Sequence, residues 1–380
     1  MKILHCCLSC FYIDNYSYQE NLLPIINMKH GHEVSIIAST ETFTREGKLG
    51  YVSPAEYNSA EGIKITRVPY RKILPGVVMK KIRSYKGVYS LISSFSPDII
   101  MFHGIPAYEL ITVVKYIKEH PNVKLYVDSH EDFNNSATNF VSKFLLHELF
   151  YRKVIKRCLP YINKIFYITA ETKEFISKEY RIPENMMEFY PLGGEIILAD
   201  ERLEWRRKIR KELGIDDATI VLMHSGKLDV LKRTDVIIEG LNKVQSDKVL
   251  LLIAGTVPPE NARLKQIING SKKTKWLGWL NAEELRHYLC ASDIYIQPGG
   301  QSATAQNAMC CGLPVMLYPH KSYVALCREN VMWVKDEADI YKAISELLEK
   351  PHLLRKLGDA SVQLAESVLD YNVLASKIEK

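Results

Sequence analysis

Short apolar runs alternate along the whole chain with stretches whose apolar residues recur every three or four positions. The runs predict strands over 2–8, 33–38, 98–102, 124–128 and 164–169 in the first half. The helical spacing between them predicts helices over 18–30, with Gly31 as its stop, over 77–86, and over a segment ending near Lys118. The rhythm restarts with strands over 218–224, 249–254, 276–277, 294–297 and 314–317. Helices over 234–244, 282–290 and 302–311 lie between them, and two amphipathic helices close the chain. Strand–helix alternation is the sign of parallel sheets covered by helices on both faces. The expected class is therefore α/β, with two Rossmann-like doubly wound domains over 1–192 and 193–365 facing across a cleft. A last helix within 366–380 is expected to pack back on the first domain. Gly193 and Gly194, after Pro191, read as a hinge, and a charged run over 200–211 follows it. Ligands of such sheets collect beyond the carboxyl ends of the strands.

Composition narrows the class without naming a reaction. Of 380 residues, 47% are apolar and 25% charged, with 19 Gly and 16 Pro, which excludes disordered, collagenous and coiled-coil chains. No run approaches the length of a membrane-spanning helix. The first thirteen residues imitate a short export leader, but they carry one leading charge and no small-residue cleavage pattern before Asp14. Cys6, Cys7, Cys10, Cys158, Cys290, Cys310, Cys311 and Cys327 lie mostly in apolar segments. The Cys7–Cys10 spacing admits redox or zinc chemistry, yet no second pair follows at ligand spacing. Buried thiols in a reduced, cytoplasmic chain are expected.

The net charge of +6 has an address. Between Gly62 and Pro97 there is no acidic residue, while Lys64, Arg67, Arg71, Lys72, Lys80, Lys81, Arg83 and Lys86 supply eight positive charges, so the rest of the chain is net −2. Over 77–86 the basic residues interleave with apolar ones, which suits a helix lying on an anionic bilayer. The rival reading is a solvated helix face beside an anionic ligand pocket. No nucleic-acid module accompanies the patch, so nucleic acid is not an expected partner.

Missing motifs limit the chemistry further. No Gly-x-Gly-x-x-Gly follows a strand, no Walker loop occurs, and no Asp-x-Asp is present to hold a metal-bound diphosphate. A diphosphate would have to be met by cations and backbone amides. Two segments offer them. Ser225, Gly226, Lys227, Lys232 and Arg233 leave the first strand of the second domain. Gly299, Gly300, Gln301 and Ser302 leave a later strand, with Ser302 the expected cap of a helix whose free amides would add positive potential. Each alone is as well read as an ordinary strand–turn–helix corner.

Taken in order, these pieces resemble the GT-B retaining glycosyltransferases of the large family 4 group. The resemblance rests on Gly31–Val34, Pro97–Ile100, Gly226 and Lys227 with Lys232, and Ala308–Val315. Phe11–Asn21 is similar to a bacterial subgroup found with capsule and O-antigen synthesis. The resemblance implies that Lys227 and Lys232 hold the donor diphosphate, with Arg233 adjacent. It places His130, and less directly His103, near the donor sugar. Where the family carries two glutamates eight positions apart, this sequence has Gly299 and Asn307. The implied activity is a metal-independent hexosyl transfer with no cofactor. Its donor is a nucleotide-sugar and its acceptor a lipid-linked or free saccharide, with the protein peripheral on the inner face of the plasma membrane. The rival readings are a non-catalytic GT-B scaffold binding a partner or glycan, and a nucleotide-sugar epimerase.

Overall fold

The computed structural model describes residues 1–44, 49–137, 139–140 and 142–380. They form two compact units, Met1–Pro191 together with Leu374–Lys380, and Leu192–Val373. The first unit is built on β1 (Lys2–Cys7), β2 (Glu33–Ser39), β3 (Glu41–Phe43), β4 (Leu49–Tyr51), β5 (Ala55–Asn58), β6 (Lys64–Val68), β7 (Ile99–Phe102), β8 (Lys124–Ser129), β9 (Lys164–Tyr167) and β10 (Met187–Phe189). The sheet order is β10-β9-β8-β7-β1-β2-β6-β5, and only β5 runs antiparallel to its neighbour. β3 and β4 pair by themselves. β7 is buried along its whole length and β1 along all but its first residue, as strands covered by helices on both faces must be. Leu4, Cys6, Ile37, Ile100, Phe102, Leu125, Val127 and Ile165 join the main core on one side of this sheet.

The chain winds outward in one direction from β1 to β2 and in the other from β1 to β7, so the switch point lies between β1 and β7. Two loops meet there. Gly104 has φ +83°, and a Cβ on it would lie 2.8–2.9 Å from Cβ, O and Oγ of Ser9, so the backbone of one turn lies directly against Ser9 of the other.

The basic segment differs from its expected form. Its helix spans Gly76–Ile82 and stops at Arg83, which takes a left-handed φ of 53°. The cause is tertiary: the Arg83 guanidinium donates to Ser9 O and Oγ, and Tyr85, fully buried, donates its hydroxyl to Leu8 O at 3.0 Å. Arg67 is 2% exposed and donates to Tyr12 O (2.8 Å), Ser39 O (3.0 Å) and the Asp14 carboxylate (2.9 Å). Arg71 donates to Tyr85 O (2.7 Å) and Glu109 (3.1 Å). These three arginines tie loops together rather than form a surface. Lys64, Lys72, Lys81 and Lys86 are the exposed remainder of the basic set, Lys64 paired with Glu56 at 2.9 Å, and Ile73, Leu74, Val77 and Val78 are exposed in the same stretch.

The second unit contains β11 (Ile220–Ser225), β12 (Val249–Ala254), β13 (Thr274–Gly278), β14 (Ile294–Gln297), β15 (Val315–Leu317) and β16 (Val331–Trp333), all parallel, in the order β13-β12-β11-β14-β15-β16. The charged run over 200–211 forms the helix Ala199–Leu213 of this unit. Arg210, 2% exposed, and Arg206 grip Asp293 at 2.5 and 2.7 Å, and Asp293 accepts from the Val221 amide at 2.7 Å. That charge cluster fastens the helix to the starts of β11 and β14.

β11 and β12 end in contact. Gly226 and Gly255 both have φ +137°, and a Cβ on Gly255 would lie 1.8 Å from Gly226 O. Gly255→Ala is expected to destabilise the unit by roughly 2–4 kcal/mol, read as a lowered thermal midpoint in calorimetry, because backbone rather than a flexible side chain must yield.

Candidate functional site

The switch point of the second unit lies between β11 and β14, and the expected diphosphate residues are the two loops that leave those strands. The loops interlock. A Cβ at Gly299 would lie 2.1 Å from Leu231 O, and Gly300 N donates to the same carbonyl at 2.8 Å. Gln297 Nε2 donates to Gly300 O at 2.8 Å, and His320 pairs with Gly299 O at 2.9 Å. Lys232, at the end of a single helical turn Val230–Lys232 capped by Asp229, folds back over Gly226, with Cε 3.0 Å from where a Cβ would stand. Its Nζ donates to Gln301 O at 3.4 Å. Burial holds its pKa below the usual lysine value, so an anion arriving there relieves a desolvated charge.

The other predicted residues divide. Lys227 is exposed, with Nζ 3.7 Å from Glu260. Arg233 points its guanidinium at Lys335 O (2.7 Å) and Pro298 O (3.5 Å), bracing the loop. Ser302 does not cap as expected. The helix spans Thr304–Cys310, the Ser302 amide is used by the Tyr323 hydroxyl (2.7 Å), and its Oγ accepts from Thr304 N at 3.3 Å. A helix that short, whose leading amide is already bonded, does not supply the row of free amides expected over 302–311. Asn307 is exposed on that helix, its Oδ1 3.0 Å from where a Cβ on Gly194 would stand.

In the first unit, His130 follows β8 and His103 follows β7. Asp128 lies fully buried between them, with Oδ2 2.6 Å from His103 Nδ1, Oδ1 2.6 Å from Gly104 N, and Oδ1 3.6 Å from His130 Nε2. Burial opposes charge on both imidazoles, yet the Asp128 carboxylate outweighs it and lifts each to about 9. The same pairing holds Asp128 well below the usual carboxylate range despite its burial. The first unit therefore presents a cationic imidazole, 27% exposed, at the end of a strand. Other histidines do the opposite. Burial takes His5 down to about 3, and His147 and His224 to about 4, so they sit neutral in their cores.

Residues 206–363 match the family model of glycosyl transferases group 1. Sucrose-phosphate synthase from Thermosynechococcus elongatus aligns with a TM-score of 0.67 at 13% identity, covering 100% of this chain and 97% of that one. Anabaena HepE in complex with UDP and glucose aligns with a TM-score of 0.65 at 13% identity, covering 100% and 98%. The fold is GT-B. A GDP-mannose-dependent monoacylated alpha-(1-6)-phosphatidylinositol monomannoside mannosyltransferase from Corynebacterium glutamicum is 23% identical over 184 residues, 44% of this chain. That match spans about half the length of the relative, 48%.

Sequence reasoning missed several residues of this GT-B chain. Gly255 stands directly after the buried run of β12, the same position as Gly226 after β11, and that parallel could have found it. Gln306, 7% exposed, accepts from the Gly193 amide at 2.9 Å and holds the glycine pair against the helix Thr304–Cys310. Asp128 was legible only as the last residue of a predicted strand.

The histidines set opposite limbs of stability. Those raised to about 9 contribute fully below about pH 6.5 and lose their contribution as pH rises through 9. His5, His147 and His224, lowered to about 3 or 4, contribute above 6.5 and lose it as pH falls toward those values. A thermal midpoint scanned against pH should therefore peak near 6.5–7 and fall on both sides, and a midpoint that climbs steadily to pH 10 contradicts the assignment.

Proposed function

We propose that this chain is a retaining glycosyltransferase that moves a hexose from a nucleotide-sugar to a lipid-linked or oligosaccharide acceptor in surface polysaccharide synthesis. One observation carries the reading. At the β11/β14 switch point a desolvated Lys232 ammonium is folded between two glycine loops, inside the residues that match the glycosyl transferases group 1 model. The chemistry that needs such a place is departure of a nucleoside diphosphate. As the sugar–phosphate bond loosens, negative charge grows on the diphosphate and an oxocarbenium-like sugar forms. A preorganised cation lowers that barrier without reorganising at the moment of reaction. The departing phosphate takes the acceptor proton, so no pair of carboxylates of the glycosidase kind is required. His130 is the first unit's group for contact with saccharide, its charge held by Asp128. The names of HepE's complex and of the mannosyltransferase relative, which speak of UDP with glucose and of GDP-mannose, agree with a nucleotide-sugar donor.

In this proposal the reaction runs without a metal or cofactor, the side-chain ammonium serving where a divalent ion otherwise would. Lys232→Ala is expected to lower kcat on the order of 10²–10³-fold with the fold intact, and Lys227→Ala less, since water screens its exposed charge. Donor turnover across a nucleotide-sugar panel, with and without chelator, checks both parts: near-normal Lys232→Ala turnover removes the site, and chelator sensitivity removes the metal-free mechanism. The non-catalytic scaffold is favoured by Gly299 and Asn307 standing where the family that the sequence resembles carries glutamates. Calorimetry with nucleoside diphosphates separates it, because a scaffold binds none.

The acceptor side is proposed to work on the cytoplasmic face of an anionic membrane. Ile73 (75% exposed) and Val77 (73%) stand beside Lys72 and Lys81 with no acidic residue between Gly62 and Pro97. Apolar side chains entering the acyl boundary and lysines at the headgroups add to one another, at about 1 kcal/mol per lysine. Flotation should recover the protein with anionic liposomes at low salt and much less with zwitterionic ones. Ile73→Asp with Val77→Asp should abolish recovery, and equal recovery on both lipids would refute the lysine contribution.

A further inference from the structure

A line of polar groups runs through the first unit from half-buried Glu379 to Asp128, which faces His130 at 3.6 Å. Glu379 Oε1 lies 2.6 Å from Asn27 Nδ2, and Asn27 Oδ1 lies 3.0 Å from His5 Nε2. His5 Nδ1 lies 3.0 Å from His103 Nε2, and His103 Nδ1 lies 2.6 Å from Asp128 Oδ2. Asn27, His5, His103 and Asp128 are all 0% exposed. Hydrogen-bond chemistry fixes how many hydrogens the two imidazoles hold, and burial, which keeps His5 neutral, fixes which ring holds the extra one. A carboxylate only accepts, so Asn27 must turn its amino group to Glu379 and its oxygen to His5. That oxygen also only accepts, so His5 carries its hydrogen on Nε2. A neutral His5 then offers a bare Nδ1 to His103, which must carry a hydrogen on Nε2. Asp128, again acceptor only, requires a second hydrogen on His103 Nδ1. The carboxylates at the two ends therefore oblige the histidine pair to carry one extra proton, and with His5 held neutral by burial it resides on His103.

We infer that Glu379 is a positioning residue: through Asn27 and His5 it obliges His103 to be doubly protonated, and so decides how much of the Asp128 charge is left to act on His130. This rests on the reading of His130 as a saccharide-contacting group only for its consequence in catalysis, not for the proton positions. Without the Glu379 carboxylate, Asn27 is free to reverse its amide and His5 to move its hydrogen to Nδ1. A neutral His103 with a bare Nε2 then fits the line. Asp128 loses its cation and its full charge turns on His130. The two histidines are thereby coupled in opposite senses, which simple loosening of the segment does not produce.

The groups around each member are few. His103 is faced by His5 and Cys7 of β1, by Glu20 of the helix Gln19–Lys29, and by Asp128 of β8. His130 is faced by Asp128, Glu131 and the same Glu20. Glu379 is also met by His30 Nδ1 at 2.9 Å and His32 Nε2 at 3.5 Å, which hold its carboxylate in place.

The test is a pH titration of the full chain with ¹⁵N-labelled histidine, read by long-range nitrogen–proton correlations that report tautomer and charge, beside the pH profile of transfer. In the wild-type protein near neutral pH, His5 should be neutral with its hydrogen on Nε2, and His103 an imidazolium. A wild-type His5 with its hydrogen on Nδ1 overturns the inference without any variant. In Glu379→Ala, His103 should lose its proton at lower pH and His130 at higher pH, each by about 1 pH unit, and the alkaline limb of transfer should move up with His130. Glu379→Gln keeps an acceptor oxygen for Asn27 and should return both titrations to near wild type. Both histidines moving down together, or neither moving, overturns the inference. If wild-type protein transfers no sugar from any donor, the proposed function fails while the titration still decides the proton line.

Discussion

The candidate sites of both units depend on glycine backbone pressed directly against a neighbouring loop. At the β11/β12 ends a Cβ on Gly255 would stand 1.8 Å from Gly226 O, and at the loop after β14 a Cβ on Gly299 would stand 2.1 Å from Leu231 O. At the end of β7 the Cβ of any residue replacing Gly104 would stand 2.8 Å from Ser9. Nothing but glycine allows such contact at positive φ, and Gly226, Gly255 and Gly104 all have it. The consequence is chemical as well as geometric. With the loops this close, polar groups that would otherwise stand a side chain apart in water are brought to hydrogen-bond distance in partly dry surroundings. There their charges act far more strongly than on a surface.

The two units use that dryness differently. In the second, Lys232 makes one long hydrogen bond to Gln301 O, and burial depresses its pKa, so negative charge beside it is favourable. In the first, positive charge is balanced from within. Asp128 is shared by His103 and by His130, and the carboxylate's own amide bond from Gly104 locks it in place. The second unit's loops favour negative charge beside Lys232, and the first unit's carboxylate keeps an imidazole in a defined charge state. Arg233 and the arginines Arg67, Arg71 and Arg83 show the complementary use of cations, in which the guanidinium satisfies loop carbonyls and contributes shape.

What was legible in the sequence follows from how local each cause is. Buried parallel strands betray themselves as apolar runs, so β1, β2, β12 and β14 stand where the pattern puts them, within a residue or two. The half-exposed antiparallel pair β3 and β4 and the edge strand β5 lack that signature and were not foreseen. The basic helix is shorter than its pattern because the spacing stays helical through Tyr85, whereas the stop at Arg83 comes from Ser9, far away in sequence. The loops after β11 and β14 were readable because glycine and lysine directly follow apolar runs. The line Glu379–Asn27–His5–His103 was not, since its members are separated by 352, 22 and 98 positions and no short-range pattern joins them.

The departure at Gly299 takes on a different meaning in this light. From sequence it reads as a carboxylate removed from a family pattern. In the structure, position 299 is the point at which the loop after β14 lies against the backbone of Leu231 and Lys232, with Lys232 C 2.8 Å and O 2.9 Å from where a Cβ would stand. No side chain of any kind fits there, so the glycine is not a deletion that left a gap. It permits the loop to be drawn down until Gly300 N bonds Leu231 O and Gln301 O meets the Lys232 ammonium. A glutamate at that position would have pushed the loop outward and added negative charge beside the one desolvated lysine of the predicted set. Glycine therefore leaves out a carboxylate and in its place brings the Gly300 and Gln301 backbone against Leu231 and the Lys232 cation, with no added negative charge beside that ammonium.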